Sequence, residues 1–546
     1  MKIKKYIYPL LALLMLSACD YEEVNKSTTG VTDDDLKAGG LLYGARFLEM
    51  QQLVIPIGSP SKTTGPGNDL QNTDLISSGN YIGYFGNNNN WNFSLESNWN
   101  FPAHRMRYAF ENFYSNMFRP WSEIHLKLKS SDDPKDREVA AVIDIVKILG
   151  WLRATDVFGP IVYTKAGLGE TSPIPDSQEV IYKHMLADLA KDAEVLNKAI
   201  SKVMPRYDLI YDGDVSKWTK LANSLMLRMA VRMHFKDKTL ATEYISKALD
   251  PANGGVIESQ GDEAKIGDSA KMPLLNSMIA SIDYKETRLG ATIWSYMDGF
   301  NDPRLSALFT KGQWRNKEGF FPVAPTNSEP KRTGPNSAEF ASVPKVTPAS
   351  PLYWFRASET YFLKAEAALY KLIAGNASEF YEKGVRMSFD ENKVGNADAY
   401  LTQEDVKPTA LRWDNYYYGI NAWYTCDISD GNITPKWNDA DTDEKKLQRI
   451  ITQKYLALYP NAVEAWTEYR RTGYPYLMKP MDGGAYARIG ATLEDGLKTP
   501  ERFKYSPKFY SDDVTQGLVT GLLGGEDQGA TRLWWVRDDR PKQPNN

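Results

Sequence analysis

Asp133 followed by Pro134 opens the pattern that most narrows the fold. Downstream, the apolar residues Val139, Val142, Ile143, Val146, Leu149 and Leu152 return every three or four positions. That period lines them along one helix face, with Asp133 as N-cap and the proline at the first helical position, where a missing N–H is tolerated. The device recurs: Asp176 with Glu179 reads as a capping box opening a helix to about Leu196, and Asn461 with Glu464 repeats it for 463–470. Trp218, Leu221, Leu225 and Met229 keep helical spacing within 218–233. Across 355–371, small Ala365, Ala367 and Ala368 alternate with bulky Tyr361, Phe362, Leu369 and Tyr370, which suits closely packed helix pairs. No clean period of about 34 residues emerges, so any tetratricopeptide repeats have diverged. The chain reads as all-α, with tetratricopeptide-like antiparallel helix pairs forming a scaffold for long irregular loops.

Ahead of this scaffold, Lys2, Lys4 and Lys5 precede an apolar run from Ile7 to Leu16, closed by small residues. The run is shorter than the roughly 20 apolar residues a membrane span needs, so 1–18 read as a secretory signal peptide. Leu16-Ser17-Ala18-Cys19 resembles the bacterial lipobox, which implies a lipid on Cys19 that attaches the chain to a membrane without crossing it. Residues 19–32 then form a tether. Its acidic cluster of Asp20, Glu22 and Glu23 reads equally as a surface-export signal or as solvated chain. Residues 33–546 read as a single helical domain. With Cys19 lipidated, Cys426 has no disulfide partner, and stability must come from a large core. A net charge of -4 leaves no basic footprint for nucleic acid.

Several segments resemble the SusD/RagB superfamily, in its SusD-like branch of outer-membrane nutrient-binding lipoproteins. They are 451–475, beginning ITQKYLALYPNAVEAW, then 153–169, 223–232, the AEAAL run at 365–369, and Asn301-Asp302-Pro303-Arg304. Departures fall near the end, where Ser506 separates a tyrosine and proline expected to be adjacent, and Val536 replaces an expected acid. The resemblance implies a helical lid over a SusC-like TonB-dependent transporter in the outer membrane, with oligosaccharide captured by the lid and delivered beneath. It also implies a binding protein and not an enzyme, with oligopeptide capture as the alternative cargo. Within 451–475, Leu456, Val463 and Trp466 sit at core spacing, and Arg470 and Arg471 read as structural partners of carbonyls or carboxylates.

The loops are the place to seek a ligand. Insertions near 58–102, 298–351 and 407–440 are rich in Gly, Asn, Pro and aromatics, and the chain as a whole holds 14 Trp, 32 Tyr and 20 Phe. Sugars offer C–H faces that stack on rings and hydroxyls that pair with planar polar groups. In the first insertion, Tyr81, Trp91 and Trp99 supply rings, while Asn68, Asp69 and Gln71 supply hydrogen-bonding groups. The competing reading is that these rings anchor the loop and the Asn residues make turns. Trp314, between Gln313 and Arg315, is the stacking candidate of the second insertion, whereas Trp294 is spaced for the core with Leu289 and Met297. A third cluster around Trp413, Tyr416, Tyr417 and Trp423 suits either a glycan surface or a transporter interface.

No cofactor is expected. Asp439, Asp441 and Asp443 mimic the start of a calcium loop, but Glu444 stands where glycine is needed and Ile450 where glutamate is needed. Four scattered histidines have no ligand spacing, and no nucleophile elbow, phosphate loop or zinc-protease helix occurs.

Overall fold

A computed structural model of the chain describes residues 41–86, 103–170, 173–323, 339–413, 424–479, 500–505, 509 and 513–541. Cys19 and its flanking signal and tether residues, and Trp91 and Trp99, lie outside the described residues. By backbone contacts the chain divides into Met1–Ala45 and Arg46–Asn546. Of the first unit, 41–45 are described, as the opening of helix α1 (Leu41–Val54). In the second unit the chain forms α2 (Thr64–Leu70), α3 (Ser78–Tyr81), α4 (Ala103–Phe110), α5 (Asn116–Leu128), α6 (Pro134–Phe158), α7 (Gln178–Asn197), α8 (Val215–Met233) and α9 (Lys238–Leu249). It continues through α10 (Met278–Asp283), α11 (Ala291–Gly299), α12 (Arg304–Leu308), α13 (Ala357–Leu369), α14 (Ala377–Glu391), α15 (Ala397–Leu401), α16 (Asp443–Leu458), α17 (Ala462–Thr472) and α18 (Asp513–Leu523). The described strands are short and pair two by two, all antiparallel.

Asp133 caps α6 as its sequence requires, its carboxylate accepting from the Lys135 N–H at 2.9 Å. The helix is buried on more than its periodic face, since Ile145, Ile148 and Trp151 are also sealed. One capping expectation is corrected. Ser177, not Asp176, is the N-cap of α7, and Asp176 instead accepts from the backbone of Tyr163 and Thr164 at 2.9 and 2.8 Å. Asn461 does cap α17, but Glu464 does not reach back to complete a box. Its carboxylate is taken by Arg232 of α8.

Neighbouring helices pair as the small-against-large pattern requires: α7 packs on α8, α8 on α9, and α13 on α14. Ala365 and Ala367 are fully buried. At the α13–α14 contact the fit is close at Gly384, where a Cβ would stand 2.9 Å from the Phe362 ring.

Four of the segments that carry the family resemblance, 153–169, 223–232, 365–369 and 451–475, meet in one buried ion network. Arg232 pairs with Asp156 of α6 at 2.6 Å and with Glu464. Arg228 pairs with Glu359 of α13 at 2.6 Å. Arg471 of α17 bridges Glu366 of α13 and Glu468, both at 2.6 Å. Arg304 clasps Asp302 and reaches Ser388 and Gln453. These charges bolt α6, α8, α13 and α17 together. Arg470 donates to the Glu501 carbonyl at 2.9 Å.

Candidate functional site

Two wide turns shape the polar surface of the first insertion. The stretch 64–81 is not an irregular loop: α2 runs into a π-helical turn at Gln71–Leu75 and then α3. A second π turn, Glu111–Ser115, joins α4 to α5. In the first, the Ile76 N–H reaches back five residues to the Gln71 carbonyl at 3.0 Å. Asp74 holds it in place, accepting from Arg153 and from Thr73, each at 2.6 Å. Such single-turn bulges re-aim side chains and recur at functional sites.

The side chains they bring together form a ledge. Tyr108 of α4 donates to Asp69 of α2 at 2.6 Å, and Arg105 donates to the Asn72 side chain at 3.2 Å. Asn72 in turn donates to the Asn68 carbonyl at 2.7 Å. Burial pushes the Asp69 carboxyl up, against the downward pull of Tyr108 and Asn112. The Tyr108 hydroxyl is pushed up to about 12, by burial first and then by Asp69. Beneath the ledge, Gln71 donates to the buried carboxyl of Glu286, which burial pushes up to about 7. The arrangement offers a carboxylate, amides, a guanidinium and a phenol ring in fixed relation, which is the chemistry that orients hydroxylated ligands.

The candidate residues therefore part company. Asn68 and Asp69 lie half-buried on the ledge. Gln71 is corrected to a buried support, its amide turned to Glu286. Tyr81 is corrected to a core anchor, 1% exposed, with its ring 5.3 Å from Trp466 and 6.1 Å from Phe503. Trp314 is half-buried on a hairpin of β1 (Gly312–Trp314) and β2 (Lys317–Gly319), edge-on to Phe340 at 4.7 Å. Trp294, expected in the core, is only half-buried, while its neighbours Leu289 and Met297 are sealed. The third cluster begins and ends on a strand pair, Leu411–Trp413 with Tyr424–Cys426, and its 414–423 portion lies outside the described residues. Sequence reasoning missed Arg105 and Tyr108, whose signal was an Arg and a Tyr three apart on one turn of a short helix. It had no signal for Glu286, which meets Gln71 only through the fold.

Elsewhere, a hollow of about 700 Å³ is lined by Tyr114, Phe118, Leu126, Val162, Ile174 and Leu518. Its wall is mostly apolar, with Ser115, Ser122, Lys165, Glu170 and Thr515 as further lining residues. Among the described residues no group of His, Cys, Asp and Glu is placed to hold a metal ion. Asp441 is paired with Arg449 at 2.7 Å.

Helix hairpins of tetratricopeptide type, bolted by buried charges and bearing polar surface segments, define a helical binding scaffold. The chain belongs to the SusD-like family: the model described as Susd and RagB outer membrane lipoprotein matches residues 23–536. The solved structure of BT1043 is similar at 61% identity, covering 92% of this chain and all of that one, with a TM-score of 0.87. A SusD homologue from Bacteroides vulgatus matches at 29% identity over 94% of this chain and 100% of its own, with a TM-score of 0.80. A chitin-binding SusD homologue from Flavobacterium johnsoniae matches at 28% over 91% and 99%, with a TM-score of 0.78. Among curated protein sequences, none matches the chain. Members of the family are carbohydrate-binding partners of outer-membrane transporters and are binding proteins rather than enzymes.

Proposed function

We propose that this protein is a surface-exposed lipoprotein that captures oligosaccharides and passes them to a SusC-like TonB-dependent transporter in the outer membrane. The observation that carries the reading is the ledge of Asn68, Asp69, Arg105 and Tyr108 over the buried Asn72, where planar hydrogen-bonding groups stand beside an aromatic ring. The chitin-binding relative supports a carbohydrate cargo. Trp91, Trp99 and Trp314 remain stacking candidates in this reading. Cys19 carries the lipid in this reading, and the anchor is covalent, so Cys19→Ala should release a folded protein from the membrane pellet.

The test is a glycan array probed with the purified mature chain, beside a peptide library of similar size. Binding to glycans, weakened by Tyr108→Ala, supports capture of sugars. Binding confined to peptides would transfer the same lid to an oligopeptide system. Release of free sugar, lost when a carboxylate pair is mutated, would overturn the non-enzymatic reading.

A further inference from the structure

Glu286 follows α10 and stands under the first π turn, which packs on that helix. The residue is 3% exposed. Its backbone N–H is spent on the Ser281 carbonyl at 2.9 Å, and its carboxyl accepts from the Gln71 side-chain amide. Gln71 opens the π turn, and the next residue, Asn72, supports the ledge: its side chain accepts from Arg105 at 3.2 Å and donates to the Asn68 carbonyl at 2.7 Å. The buried carboxyl is therefore one side chain away from the turn that fixes the ledge.

Burial pushes that carboxyl up to about 7, against the downward pull of the Gln71 amide and of Arg105. The other charged groups of these elements are engaged elsewhere. Asp74 is held by Arg153 and Thr73, Asp69 by Tyr108 and Lys285 by Glu339, while Arg288 is acted on by Glu339 and Asp283. His104, beside Arg105 on α4, is the remaining group with an ordinary value near neutrality, and burial first, then Arg105 and Arg107, lower it from 6.5.

We propose that Glu286 is a positioning residue for the ledge, acting through Gln71 and Arg105, and that it couples glycan binding to protonation of its own carboxyl. A glycan on the ledge excludes water above Glu286, and its hydroxyls draw on the Arg105 guanidinium. Both effects disfavour the charged carboxylate, so the complex takes a proton from solution onto a Glu286 carboxyl oxygen. The factor by which the glycan favours the proton is also the factor by which the proton favours the glycan. Affinity is therefore constant below about 7, where free Glu286 already holds its proton, and falls as pH rises above that value until the complex ionises as well. The inference rests on the proposed sugar-capturing role of the ledge.

The experiment is titration calorimetry on the full mature chain between about pH 6 and 9, with the neutral oligosaccharides that bind on the glycan array as probes and tetra-N-acetylchitotetraose tested first. Such probes have no ionisation of their own in that range. Affinity should fall by about threefold or more from the lower pH to the higher. Glu286→Gln should flatten the profile near the parent's low-pH affinity, whereas a merely structural role would lower affinity equally at every pH. His104→Gln should keep the parent's slope. Calorimetry of the parent chain near pH of about 7.5, in buffers of different ionisation enthalpy, should show uptake of part of a proton on binding, a readout that needs no variant to fold. A flat parent profile, a slope that survives Glu286→Gln, an equal loss at every pH in that variant, a slope lost in His104→Gln, or binding without proton uptake would overturn the coupling. If oligosaccharides bind in any of these cases, the capture function stands without it; if no glycan binds at any pH, both fall together.

Discussion

Tyr108 donates its phenolic hydrogen to Asp69 across 2.6 Å while its own ring stays 37% exposed. The bond joins α4 to α2 at the surface, so it orients a planar acceptor and an aromatic face at once. Neither residue is needed to fill the core, which separates binding from stability at this position.

Tyr108→Phe keeps the ring and deletes the donor. The lost bond is intramolecular and at the surface, so stability should fall by at most about 1 kcal/mol. Oligosaccharide affinity should fall as well, because Asp69 is no longer held in orientation by the phenol. Titration calorimetry and melting curves measure the two effects, and unchanged affinity in both Tyr108→Phe and Tyr108→Ala would remove the ledge from the binding face.

Tyr81→Ala has the opposite signature. Its ring is packed against Trp466 and Phe503 with 1% exposure, so truncation should cost about 3 to 5 kcal/mol. Denaturant melts test this. A loss of affinity without that destabilisation would return Tyr81 to the binding surface.

The contrast between Tyr81 and Tyr108 marks where sequence stops informing. Helical period and caps were legible at Asp133 and Asn461 because both depend on bonds within a few residues. The Asp176 capping box failed because Ser177, one residue on, takes the cap, and a distant backbone claims Asp176. Segment 64–81 read as loop because Gly, Pro and Asn weaken the apolar period, yet tertiary contacts such as Arg153 with Asp74 hold it helical. Composition pointed to the neighbourhood of Asn68 and Asp69. It could not say which tyrosine faces water, since that depends on what α17 places opposite the ring.

Glu366 and Arg471 form a bidentate buried pair, with bonds of 2.6 and 2.7 Å. Burial alone would push the Glu366 carboxyl up, but the guanidinium of Arg471 and the contact with His234 outweigh it and hold the carboxyl well below its usual range. Glu366→Gln leaves Arg471 paired with Glu468 and should cost about 1 to 3 kcal/mol, and Glu366→Leu with Arg471→Met should cost less than the sum of the two changes made singly. The pair's stabilisation should be present above the ordinary value of 4.5 and lost as pH falls below it. Urea titrations of the single and double variants decide the matter: strictly additive losses would show that the charges are not coupled.

Glu286 should give the reverse pH dependence. Burial raises its carboxyl from 4.5 to about 7, while the Gln71 amide and Arg105 pull it down. Below pH of about 4.5 the folded and unfolded chains both carry the proton, and the residue contributes nothing to the pH slope. Between about 4.5 and 7 the unfolded chain releases its proton while the folded chain keeps it, so the contribution to stability falls as pH rises. Above about 7 the penalty is complete and stays constant. Glu286→Gln mimics the protonated form and preserves a partner for Gln71, so its stability relative to the parent should climb through that window and then level off. Denaturant melts from pH 4 to 9 read the difference directly. A difference that does not vary with pH would mean that Glu286 does not titrate in this window, and its burial beneath the ledge would then have to be satisfied in some other way.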